Sequence, residues 1–260
     1  MRAASQPVAD GVTGVCRSFD PAFVAALETE AWVAYYRRRW LAFARVGVVL
    51  ARRQLGLPWP LTVYCAWLVL RANQLWAPFP ANDAYRAQRT MQRFYRLLRR
   101  RSGETFDPTI AARLEVDWWR IHRDLQHGRI DGPDALAVAL ARLYAHIYGL
   151  PEATVHGAGS ARARAMHSSD RWVLAGCPPR SPLIAEVREA LTDSYAALLR
   201  AVAAQAQASP SSRAVPAADI AGVAARVRGS AGGVALGSSL RRPTAAFHHP
   251  TTWRFHHVGR

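Results

Sequence analysis

Apolar residues recur along this chain at three- and four-residue spacing, and no alternating stretch of useful length interrupts the pattern. Phe23, Leu27, Ala31 and Ala34 form one such stripe, and Ile110, Leu114, Trp118, Ile121 and Leu125 form another. Each is preceded by Phe-Asp-Pro, at Phe19–Pro21 and Phe106–Pro108. That triplet is a helix start, because the Asp carboxylate accepts from free amides of the first turn and Pro fits the first helical position. Gly56-Leu57-Pro58 and Gly149-Leu150-Pro151 are helix stops, since Gly takes the left-handed cap and Pro prevents continuation.

The same markers come twice, in the same order. Phe19 to Glu28 matches Phe106 to Glu115, and Trp32 matches Trp119. Leu55-Gly-Leu-Pro58 matches Tyr148-Gly-Leu-Pro151, Arg71-Ala72 matches Arg164-Ala165, and Tyr95 near the end of one copy matches Tyr195. The expected fold is all-α: a tandem pseudo-repeat of two four-helix units, packed as one or two bundles. Residues 1–18 are expected to be a disordered N-terminus, 19–103 unit one and 104–203 unit two. Residues 204–260 lose periodicity in an Ala/Ser/Pro/Gly/Arg-rich stretch, expected to be a disordered basic tail.

Charge separates the two units. Every one of the 34 basic residues is arginine, and the formal net charge is +16. No acidic residue occurs between Ala31 and Asn82, whereas arginine and acidic residues nearly balance in unit two. Arg86, Arg89, Arg93, Arg96 and Arg100 share one helix face, opposite Met91, Tyr95 and Leu98. Such a stripe is either a solvated face or a platform for phosphates of lipid or nucleic acid. No nucleic-acid motif accompanies it, and the aromatics do not interleave with it along the chain. Trp32, Trp40, Trp59, Trp67 and Trp76 are expected chiefly in the core, with an apolar pocket or a membrane interface as the alternatives.

Histidine distinguishes unit two. Glu115, Trp119 and His122 fall on one helical stripe, where unit one has Glu28, Trp32 and Tyr35. His146 and His167 follow on later helices, with Glu186, Glu189 and Asp193 on the last. An inward site of Glu115 and His122, with His146 secondary, is the candidate for iron or another transition metal, or for a small cofactor. If it were catalytic, the Trp-rich surroundings would suit oxidative chemistry on an apolar substrate. Glu115 and His122 are seven apart, so the Glu-x-x-His spacing of helical di-iron sites is missing. The competing expectation is that Glu28 and Glu115 each anchor an arginine, Arg71 or Arg164. Haem ligation by His122 or His146 has no motif behind it, and no phosphate loop, zinc-protease motif, nucleophile elbow or triad is present.

Cys16, Cys65 and Cys177 form no disulfide framework or metal motif. The first 19 residues carry no apolar run of a secretory signal. The most apolar stretch, Leu55 to Leu75, is interrupted by Pro58, Pro60 and Arg71, so no transmembrane segment is expected. A cytoplasmic protein follows, with peripheral membrane contact left open. The alternative function is a non-catalytic interaction protein whose basic first unit meets anionic membrane or nucleic acid; a protein partner is a third choice. The repeated Phe-Asp-Pro…Leu-Glu…Trp pattern, with Ala161-Arg-Ala-Arg and Asp170-Arg-Trp172, resembles an uncharacterised all-helical family of GC-rich bacteria. That resemblance implies an all-α fold over 19 to about 203 and brings no activity with it.

Overall fold

The computed structural model describes residues 17–208, and all the regular structure in them is helical. Eight helices follow in order: α1 (Pro21–Tyr36), α2 (Trp40–Leu55), α3 (Trp59–Trp76), α4 (Ala84–Ser102), α5 (Pro108–Gln126), α6 (Asp134–Tyr148), α7 (Glu152–Leu174) and α8 (Pro182–Ala208). The all-α expectation holds. The last helix runs five residues beyond the expected boundary at 203, because Ala201 and Val202 are still buried and the Ala/Gln sequence beyond them continues a favourable helix. The rest of the basic tail, which carries the paired histidines His248-His249 and His256-His257, and residues 1–16 lie outside the described residues.

The caps are where the sequence puts them. Asp20 accepts from the amides of Ala22 and Phe23, and Asp107 from those of Thr109 and Ile110. Gly56 and Gly149 end α2 and α6 with φ of 55° and 64°, the left-handed region that a side chain disfavours. Arg17, in the segment expected to be free, is held instead. Its guanidinium makes a two-pronged pair with Glu104, at 2.7 and 2.8 Å, and also donates to the Tyr148 carbonyl.

Each helix packs against the next in chain order, and α8 returns to pack against α1. The core is continuous across the 103/104 boundary: Met91, Tyr95 and Leu98 of α4 share one cluster with Ala112, Val116 and Trp119 of α5 and Leu143 of α6. Coverage is uneven. α7 lies between α6 and α8 and buries small residues on both sides, among them Ala158, Gly159, Ala161, Ala163 and Ala165. By contrast, α2 buries only Val46 and Ala51. α3 buries Cys65, Leu68, Ala72 and Trp76 and leaves its other face open.

Candidate functional site

Two carboxylates point into the helical assembly. Glu28 on α1 receives the Tyr195 hydroxyl from α8 and the Arg162 guanidinium from α7. The Arg162 and Glu28 side chains are only 14% and 13% exposed, so this is a largely desolvated ion pair. Glu115 on α5 receives the Tyr95 hydroxyl from α4 at 2.6 Å and the indole N–H of Trp119 at 3.2 Å. The Tyr144 hydroxyl and the Trp118 indole N–H are buried and make no hydrogen bond of good geometry among the described residues.

These environments correct the expected anchors. Arg164 pairs at the surface with Asp193, and Arg71 is exposed and reaches only Gln74. The inward arginine is Arg162, which lies four residues after buried Ala158 and three before buried Ala165, on the stripe α7 turns inward. Among the described residues, no guanidinium is bound to Glu115. Counting from the Gly-Leu-Pro segments, the position of Arg162 is held by Val69 in the first half of the chain. Burial therefore dominates at Glu115 and raises its pKa above 4.5, although the Tyr95 hydroxyl and the more distant charge of Arg162 pull the other way.

A raised carboxyl pKa means that the folded state holds this proton more tightly than the unfolded chain does. The contribution of Glu115 to stability should accordingly fall as pH rises through and beyond 4.5. Glu115→Gln keeps an acceptor for Tyr95 and removes the charge. Its melting temperature should exceed wild type at pH 7, and the gap should close toward pH 4. A gap of constant size across that range would contradict the assignment.

The three candidate ligands are not gathered at one point. Glu115 is engaged as above. The Nε2 of His122 meets Asp170 of α7 at 2.8 Å, and Asp170 also accepts from Gln126 at 2.7 Å. The Nε2 of His146 donates to the Asp107 carbonyl at 2.9 Å, which ties α6 to the start of α5. His167 is exposed. Glu186 pairs with Arg171 and receives the Ser168 hydroxyl, and Asp193 pairs with Arg164. These carboxylates face outward because α8 turns Val187, Ala190, Leu191, Ser194 and Leu198 inward. Among the described residues, no group of three His, Cys, Asp or Glu side chains could share a metal ion.

The arginine stripe is a different matter. Arg86, Arg89, Arg93, Arg96 and Arg100 are all exposed on α4, while Ala87, Thr90, Met91, Tyr95 and Leu98 face inward. Beside the stripe, α3 presents Trp59, Val63, Tyr64 and Trp67 at 61%, 54%, 43% and 48% exposure. This corrects the expectation of a tryptophan core. Trp76 is buried, but Trp40, Trp59 and Trp67 are exposed, because none of the described helices covers those faces of α2 and α3. A groove of ≈ 300 Å³ joins the two helices, lined by Trp67, Arg71 and Leu75 of α3 and Arg86, Arg89, Thr90 and Arg93 of α4. Trp67, which does not interleave with these arginines along the chain, adjoins them in space. Asp83, which caps α4 and pairs with Arg86 at 3.5 Å, is the acidic residue nearest in sequence to this face.

No protein-family model, no curated protein and no solved structure matches this chain. Functional argument therefore rests on the chemistry of these faces. None of the described helices is long and apolar enough to cross a membrane.

Proposed function

We propose that this is a non-catalytic interaction protein that docks peripherally on an anionic membrane through the α3–α4 face. The observation that carries the reading is the groove in which Trp67 lies against Arg86, Arg89 and Arg93 of α4, on a helix that also exposes Trp59, Val63 and Tyr64. Trp and Tyr sit well at headgroup depth, and guanidinium groups pair with lipid phosphates. Val63, more than half exposed in the middle of the ridge, offers a nucleic acid nothing but suits an acyl boundary. This favours lipid over nucleic acid as the anionic surface.

The test is co-sedimentation with phosphatidylcholine vesicles, with and without phosphatidylserine. Binding should require the anionic lipid and weaken steeply with salt, because exposed charges are screened over ~10 Å at 0.1 M. Each basic residue near the surface contributes about 1 kcal/mol. Arg89→Glu with Arg93→Glu changes four charge units, so affinity should fall on the order of a thousandfold. Trp67→Ala should cost about tenfold through lost apolar contact. Circular dichroism should stay unchanged, since all three side chains are exposed. Duplex or single-stranded nucleic acid bound with the same arginine dependence, and no vesicle binding, would overturn the reading.

We propose also that the chain is two copies of one four-helix unit. Supporting this, Tyr195 donates to Glu28 and Tyr95 to Glu115. Each pair joins the last helix of one copy to the first helix of the other. The copies would then share a scaffold and differ where Arg162 stands against Val69.

A further inference from the structure

A second cleft, of ≈ 240 Å³, lies where the end of α3 and the segment after it meet the C-terminal half of α5. Trp76, Phe79, Asn82, Arg120, Arg123 and Arg129 line it, together with Asp124. Two of the guanidinium groups are matched to carboxylates: Arg120 to Asp117 at 3.0 Å and Arg129 to Asp124 at 2.8 Å, all of them well exposed. Arg123 is not. Among the described residues no carboxylate comes within ion-pair distance of it, and its one hydrogen bond is a long one, 3.4 Å, to the Trp76 carbonyl. Its charge lies over the Trp76 ring at 4.9 Å and the Phe79 ring at 5.4 Å. The other charged groups lining the cleft are Arg120, Arg129 and Asp124, and the Asp124 carboxylate is taken by Arg129; the nearby Tyr35 and Tyr36 hydroxyls stay protonated at neutral pH because burial raises both.

Ring contacts attract a cation but take none of the five N–H donors of a guanidinium in the way an oxygen acceptor does. A part-buried positive charge with free donors, in a cleft bordered by two more guanidinium groups and an amide, lacks an anion. We propose that this cleft is a phosphate site. Arg123 is its anchor, Arg120 and Arg129 close on the oxygens from either side, and Asn82 supplies an amide donor. Phosphate suits it better than a single carboxylate, because several forked donors converge and a phosphomonoester has up to three free oxygens to accept them. The phosphate could belong to a small soluble phosphomonoester or to a lipid headgroup. The site is separate from the α3–α4 groove and does not rest on the membrane reading.

Calorimetric titration and thermal shift with inorganic phosphate, against chloride at matched ionic strength, test the proposal directly. Wild type should bind phosphate and melt higher in its presence. Arg123→Met should lose roughly tenfold or more in phosphate affinity, while melting close to wild type in phosphate-free buffer, because the variant removes a part-buried charge with no carboxylate partner and its thioether can keep the ring contacts. Arg129→Gln, at an exposed position, should weaken binding several-fold and keeps the test decisive if Arg123→Met folds poorly. The Arg89→Glu/Arg93→Glu variant should bind phosphate as wild type does. Vesicles of phosphatidic acid separate the two sources: a preference for them over phosphatidylserine that disappears in Arg123→Met assigns a headgroup, and its absence alongside phosphate binding assigns a soluble ligand. No phosphate-specific heat or stabilisation in wild type, or equal binding by Arg123→Met, would sink the proposal.

Discussion

Arg162→Met should destabilise this protein more than any charge substitution on its surface, by about 3–5 kcal/mol. The pair it breaks joins α7 to α1, and Tyr195 brings in α8 through the same carboxylate. Neither partner is more than 14% exposed, so water cannot replace the lost guanidinium at Glu28. The Tyr195 hydroxyl alone would remain to hold a desolvated carboxylate. Removing both charges should therefore hurt less than removing one. Glu28→Gln/Arg162→Met should recover most of the loss, since a neutral amide can still accept from Tyr195. Urea titration of the four proteins of this cycle decides the matter. A double variant as unstable as Arg162→Met would show that volume and packing, not the unpaired charge, dominate. The pKa of Arg162 is raised well above its ordinary value, chiefly by Glu28 acting against burial. Arg162 therefore stays charged across the neutral range, where the four proteins are compared.

Gly159→Val should be comparably damaging for a purely steric reason. A Cβ at this position would lie 2.4 Å from the Ala137 carbonyl oxygen and 3.0 Å from the Ala141 amide, both backbone atoms of α6. Backbone inside a helix cannot swing away as a side-chain end does, so α6 and α7 would have to separate. That opens the contact among Ala137, Leu140, Ala163 and Met166. Overpacking of this kind costs ~1–3 kcal/mol when neighbours can adjust, and more here because the obstacle is main chain. Gly157, two residues earlier on the same helix, is the internal control. It is exposed, and a Cβ there meets nothing within 4 Å. Gly157→Ala should stabilise by about 1 kcal/mol through helix propensity alone. Chemical denaturation of both variants measures the contrast, and similar effects at the two glycines would refute the close-contact argument.

The two glycines illustrate a wider division. Their residue type is identical and they share Ala158 as a neighbour, so residue type alone does not say which one touches α6. The arginines of the same helix repeat the lesson. Arg162 and Arg164 are two apart, and the sequence comparison favours Arg164 because Arg71 matches it. Helical geometry separates them by more than half a turn and puts Arg162 on the buried side. The Ala158–Ala161–Ala165 stripe was the available signal. Nothing comparable pointed from His122 to Asp170, its partner 48 residues away on another helix.

By itself, the sequence determined what depends on neighbours within about four residues. That covers the helical class, the Asp caps of α1 and α5, the glycine ends of α2 and α6, and the opposition of arginines to Met91, Tyr95 and Leu98 on α4. These follow from hydrogen bonds and periodicities that close within a turn. Tertiary structure decided which helix faces find a cover. It left Trp67 exposed beside the α4 arginines, sent Arg162 to Glu28, and left Glu115 to hydrogen bonds from Tyr95 and Trp119. An apolar face is buried only if another element reaches it, and a charge is paired only if its partner arrives from a distant segment. Neither condition is encoded in the spacing of a single helix.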